Sequence, residues 1–142
     1  MGSESSLWRA VSKNMQGRWI AERMENLVAS GTPDVYFTLV QCGTMGWLEL
    51  KHAHEWPKKP KTPLKIKHYT KEQKAFIKRH GYIGANIFVL LQVEKEYFLN
   101  DWGLALRIGT LTRDQLKELS LGYWMHRVDY TEFTVLLRNS KD

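Results

Sequence analysis

A chain of 142 residues, 43% hydrophobic and 12% aromatic, can enclose one sizeable core and is expected to form a single domain. No apolar run approaches the roughly 18–20 residues that cross a bilayer, and the N-terminus MGSESSLWRAVSK lacks the charged-then-apolar layout of a secretion signal. The single Cys42 cannot close an internal disulfide, which points to an intracellular, cytoplasmic setting, and a net charge of +6 points to a polyanionic partner.

In chain order, residues 5–16 (SSLWRAVSKNMQ) place Leu7, Trp8, Val11 and Met15 at helical spacing, with Ser5 or Ser6 as cap. RWIAERMENLV (18–28) mixes charge with β-suited residues and reads as a strand. SGTPD is a turn in which Pro33 supplies no amide donor. DVYFTLV (34–40) is β-branched and aromatic, CGTMG is a hairpin connection, and WLELKHA (47–53) is the return strand.

HEWPKKPKTPLKIKHYTK (54–71) holds six lysines, three prolines and one acid. It reads either as a solvated, proline-stiffened loop or as a phosphate-contacting arm made by Lys58, Lys59, Lys61, Lys65, Lys67 and Lys71. Its place directly after a Glu-Leu-Lys strand favours the arm. Thr70-Lys-Glu-Gln73 is a capping box, opening a helix to His80 whose apolar face carries Phe76 and Ile77 and which Gly81 caps. NIFVLLQV (86–93) is a central strand, Glu94-Lys-Glu96 a turn, and YFLND an antiparallel return. In the last forty residues, Thr112–Gln115 forms a second capping box before LKEL. Residues 129–137 show helical spacing, though Thr134 and Val135 also suit a strand. No repeat, low-complexity tract or domain boundary is visible.

The chemistry concentrates in the hairpin. Fourteen residues separate Asp34 from Glu49, enough for two short strands and their turn, so both carboxylates can reach the same end of a sheet. Two convergent carboxylates make an all-oxygen site of the kind hard cations such as Mg²⁺ or Mn²⁺ prefer. Glu49 and Lys51 are two apart on a strand and share a face. His52-Ala-His54 has no further Cys or His close in sequence to complete a zinc site. Trp56 beside the lysines could stack on a base, and Arg18 and Arg23 are candidate phosphate contacts.

Pro33-Asp34, Glu49-Leu50-Lys51 and Gln73 on the following helix resemble the PD-(D/E)XK nuclease superfamily. The order of a Gly-x-Pro-Asp turn, a Glu-x-Lys strand, a basic loop and a Gln-bearing helix is most similar to the virus-type replication-repair (VRR-NUC) nucleases, over roughly residues 4–100. The resemblance implies an α/β, restriction-endonuclease-like core of order αβββαβ, with a mixed central sheet flanked by helices and a C-terminal helical extension over about 101–142. It implies a Mg²⁺- or Mn²⁺-dependent DNA endonuclease, possible virus encoding, branched substrates such as Holliday junctions, and a homodimer. Asp34, Glu49 and the Leu50 carbonyl would hold the metal. Glu4 would add a ligand or serve only as a helix-start glutamate or part of a tag, and Glu22 and Glu25 are rival donors that read more simply as surface charge. Lys51 would orient the attacking water and stabilise phosphate charge, and Gln73 would either act beside it or serve only as a cap. The alternatives are a non-catalytic nucleic-acid-binding module on the same scaffold, or an interaction protein with an acidic protein partner.

Overall fold

The computed structural model describes residues 2–24 and 31–138. Its element order is α1 (Glu4–Asn14), β1 (Trp19–Arg23), β2 (Val35–Leu39), β3 (Met45–Ala53), α2 (Lys71–Tyr82), β4 (Ile87–Val93), β5 (Glu96–Asp101), α3 (Trp102–Ala105), α4 (Arg113–Leu119), β6 (Gly122–Met125) and α5 (Tyr130–Leu137). The strands form one sheet in chain order, β1-β2-β3-β4-β5-β6. Every neighbouring pair is antiparallel except β3 and β4, which run parallel because residues 54–86, including α2, carry the chain back to the start of the sheet. The expected αβββαβ order and mixed sheet are present, and β3 and β4 occupy its centre.

Alternation along the strands divides the core. Val35, Phe37, Leu39, Leu48, Leu50 and Leu90 face one side with Leu7 and Val11 of α1 and Phe133 and Leu137 of α5. Val89, Leu91, Val93 and Phe98 face the other with Ile77 of α2, Ala105 of α3 and Leu116 of α4. Asp34, Glu49 and Lys51 therefore fall on the α2 side. The lysine-rich segment is fastened there rather than loose. Leu64 is buried in that second core, its N–H bonds the Leu111 carbonyl at 3.0 Å, and the Tyr69 hydroxyl donates to the Ala105 carbonyl at 2.7 Å. Burying one leucine contributes about 2 kcal/mol, one of several contacts that together fasten the segment.

Several local expectations need correction. Ser3, not Ser5 or Ser6, caps α1: its hydroxyl accepts from the Ser6 N–H at 3.0 Å while the Ser6 hydroxyl accepts from the Ser3 N–H at 2.8 Å. The β1 strand ends at Arg23, and residues 25–28 of the expected strand lie outside the described residues. Gly81 is no cap, because α2 continues through it to Tyr82. A Cβ there would lie 2.4 Å from the Trp102 ring, so glycine serves close helix packing. The β4–β5 turn is Glu94-Lys95, and Glu96 already belongs to β5. Residues 130–137 form a helix, with the Asp129 carboxylate accepting from the Thr131 and Glu132 amides. Beyond the expected helices, the C-terminal segment adds β6 to the sheet edge.

Candidate active site

The hairpin register explains why two acids meet. Val35 pairs with Leu48 and Tyr36 with Trp47, so the next step brings Asp34 opposite Glu49 and Pro33 opposite Leu50. The Asp34 carbonyl accepts from the Met24 N–H at 2.7 Å on the β1 side, leaving Asp34 and Glu49 as a pair not hydrogen-bonded through the backbone, the arrangement in which facing side chains come closest. Pro33 has no N–H to continue the ladder. The Leu50 N–H turns instead to the Asp34 carboxylate, donating at 2.8 Å. Amide and carbonyl of one strand residue point the same way, so the Leu50 carbonyl also faces this end of β2.

Glu49 and Lys51 are each only 1% exposed. The Lys51 ammonium sits 3.1 Å from the Glu49 carboxylate and donates to the Gln73 side-chain oxygen at 2.9 Å and the His68 carbonyl at 2.8 Å, with the Tyr69 ring 5.4 Å away. Gln73 serves the helix start and the site together. Its oxygen also accepts from the Thr70 N–H at 3.0 Å, completing the capping box, while its amide nitrogen donates to Glu49 at 3.1 Å. The two alternative readings of Gln73 are thus compatible in one geometry. Gly31 places the turn against this helix: it has φ +90°, and a Cβ on it would meet the Glu72 carbonyl oxygen at 2.2 Å.

This is a site under electrostatic stress. The Glu49 carboxyl is pushed up to about 8, first by burial and then by the Asp34 charge, with Lys51 pulling down and Glu4 adding a smaller push upward. Glu4 is also raised, mainly by burial, with Lys51 opposing and Asp34 reinforcing. A carboxyl whose folded pKa exceeds its unfolded one binds its proton more tightly in the native state. Its contribution is therefore complete below about 4.5 and is lost as pH rises through about 8. Metal-free protein is expected to melt at falling temperature across this window, by an amount on the order of several kcal/mol, and Glu49→Gln is expected to flatten the trend. Thermal melts of both proteins at a series of pH values in chelator check this, and parallel curves would refute it.

No family model and no curated protein matches the sequence. Solved structures do. The chain is similar to Hjc, a Holliday junction resolvase from Archaeoglobus fulgidus, with a TM-score of 0.51 and 18% identity over 83% of this chain and 91% of that one. It also aligns with a VRR_NUC domain, with a TM-score of 0.45 and 21% identity over 64% of this chain and 83% of that one. The likeness is one of fold: the chain has a restriction-endonuclease-like, PD-(D/E)XK-type fold. Within this PD-(D/E)XK-type fold, Asp34, Glu49, Lys51 and Gln73 gather where the start of β2 meets the middle of β3, on the face covered by α2.

A hard divalent cation fits this donor set. Asp34 and Glu49 offer carboxylate oxygens whose mutual repulsion a cation would relieve, and the Leu50 carbonyl faces the same end of β2. Among the described residues, no three or more His, Cys, Asp or Glu side chains assemble a metal-binding group. Two carboxylates, a carbonyl and water make a set that suits Mg²⁺, which keeps several waters, better than zinc. Glu4 comes within electrostatic reach without completing a three-carboxylate group. Glu22 is exposed on β1, and Glu25 lies outside the described residues.

The six lysines separate around the PD-(D/E)XK core. Lys65 and Lys67 line a cleft of about 700 Å³ with Glu4, His52, His54 and His68. Lys58 and Lys59 line another hollow beside α4, while Lys61 and Lys71 are exposed outside both. Trp56 is held in place, its indole N–H donating to Glu96 at 2.7 Å and its ring edge-on to Phe98. Arg23 lies over the Trp8 ring on the α1 side, and Arg18 is exposed at the start of β1. Sequence reasoning did not single out His68 or Tyr69. Gly31 entered only as the glycine of the Gly-x-Pro-Asp turn, without its close approach to the first turn of α2.

Proposed function

We propose that the chain is a divalent-metal-dependent endonuclease that hydrolyses DNA phosphodiester bonds, selective for branched DNA such as Holliday junctions. The observation that carries this reading is the convergence of Asp34 and Glu49 beside a buried, fully hydrogen-bonded Lys51. Asp34, Glu49 and the Leu50 carbonyl would hold Mg²⁺ or Mn²⁺. That ion, when bound, polarises a phosphoryl oxygen and lowers the pKa of water. Lys51 is fixed by three partners that occupy its three N–H donors, so its ammonium would balance negative charge growing on the phosphate through space, and would orient the nucleophilic water only by exchanging one of these partners for it. Gln73 holds Lys51 and Glu49 at a constant separation and so keeps this geometry preorganised. The lysine segment would grip the sugar-phosphate backbone without reading bases, giving recognition by shape.

A branched substrate is supported at the level of fold, because the Archaeoglobus neighbour is a Holliday junction resolvase. Paired incision of a four-way junction requires two active sites, so the proposal includes a homodimer. Labelled linear, flapped, nicked and four-way DNAs incubated with Mg²⁺ test the reading beside a Lys51→Ala variant. Wild type is expected to cut the branched forms preferentially, and the variant to cut none. Retained DNA binding with no cleavage of any form by wild type, in Mg²⁺ or Mn²⁺, would leave a non-catalytic binding module instead.

A further inference from the structure

Glu96 is a buried carboxylate outside the site just described, 3% exposed on β5. It accepts from the Trp56 indole N–H at 2.7 Å and the Tyr123 hydroxyl, and its ion pair with Arg113 spans 2.8 Å. The Arg113 guanidinium lies 5.3 Å from the centre of the Trp56 ring, and the Lys117 ammonium lies 5.3 Å from that of Tyr123. Phe98 packs against both rings from below. Two cations from α4 are thus set on an aromatic floor, and the Arg113 side chain remains 47% exposed with donors to spare. With Lys58 and Lys59 they border a hollow of about 360 Å³ whose lining includes one acid, Asp114.

We propose that this hollow is a second phosphate seat, taking a phosphodiester of the same DNA whose scissile bond lies at Asp34, Glu49 and Lys51. The inference rests on the nuclease reading and extends it to residues of the C-terminal segment. A guanidinium held by a ring on one hand and a carboxylate on the other loses little entropy when it meets a phosphate oxygen, which separates this place from a loose lysine face. The seat also connects to the site. Arg113 borders a cavity of about 650 Å³ that shares Gly2, His52 and His54 with the cleft containing Glu4. Trp56 follows Lys51 by five residues, so their Cα atoms are at most about 17 Å apart. With the reach of the Arg113 and Lys117 side chains added, the seat would take a phosphate on the order of five to ten steps from the cut at about 3.4 Å per step.

The test is the salt dependence of binding to a labelled four-way junction in chelator, where nothing is cleaved. Lys117→Gln leaves every bond to Glu96 in place. It is expected to reduce the slope of log Kd against log salt by about 1 and to weaken binding several-fold at constant melting temperature. Arg113→Gln should do the same with some loss of stability, and Lys13→Gln on α1 should leave the slope unchanged. A wild-type slope for Lys117→Gln overturns the seat, as does an equal change in Lys13→Gln, which would reveal only net charge. Wild type that binds no DNA overturns both readings. Wild type that binds but never cuts in Mg²⁺ overturns the nuclease reading alone, and the slopes still decide the seat.

Discussion

Asp34→Asn is expected to lower metal-dependent cleavage by roughly two to four orders of magnitude while DNA binding in chelator persists. The asparagine side-chain oxygen can still accept the Leu50 N–H that Asp34 now holds at 2.8 Å, so the turn keeps its shape. Removing the negative charge also removes the second-largest influence raising the Glu49 carboxyl, so this variant should be as stable as wild type or more so. Asp34→Ala should lose the same activity and, in addition, about 1–3 kcal/mol, because the Leu50 amide is left without its acceptor. Activity assays and melting curves on the pair check this together. Cleavage retained by both variants would remove Asp34 from the chemistry.

Gly31→Ala should be the most damaging small substitution outside the charged cluster. The backbone there has φ +90°, and the added methyl would meet the Glu72 carbonyl oxygen at 2.2 Å and its carbon at 2.4 Å, neither of which can swing aside. A loss of about 3 kcal/mol is expected, lowering the melting temperature by roughly 10 °C. Cleavage should fall as well, since the turn carrying Asp34 must lift from the first turn of α2. Gly43→Ala is the natural comparison. Its φ is +74° but no atom lies within 4 Å of the added Cβ, so it should cost only about 1 kcal/mol. Equal effects at the two positions would show that backbone strain, not the docking of turn on helix, makes glycine necessary.

The site was legible because its signals are local. Asp34 stands at a strand entry after a proline, Glu49 and Lys51 share a strand face, and Gln73 completes a capping box, so a short window around each suffices. Only the register, one step beyond Val35 and Leu48, was needed to bring them together. What stayed hidden depends on contacts between distant segments. Glu96, next to Glu94 and Lys95, has the appearance of a solvated turn, and its burial appears only when Trp56, Arg113 and Tyr123 arrive from elsewhere. Gly81 near a helix end resembles a terminator until Trp102 is packed on it. The four residues of β6 are too few to show alternation, and they become a strand by borrowing the exposed edge of β5.

Gln73 closes the first turn of α2 with the same oxygen that receives the Lys51 ammonium. Fraying at that helix start and failure of the lysine's alignment are consequently one event. Any condition that loosens this one turn before it disturbs the sheet would release the buried ammonium from its amide partner at the same time.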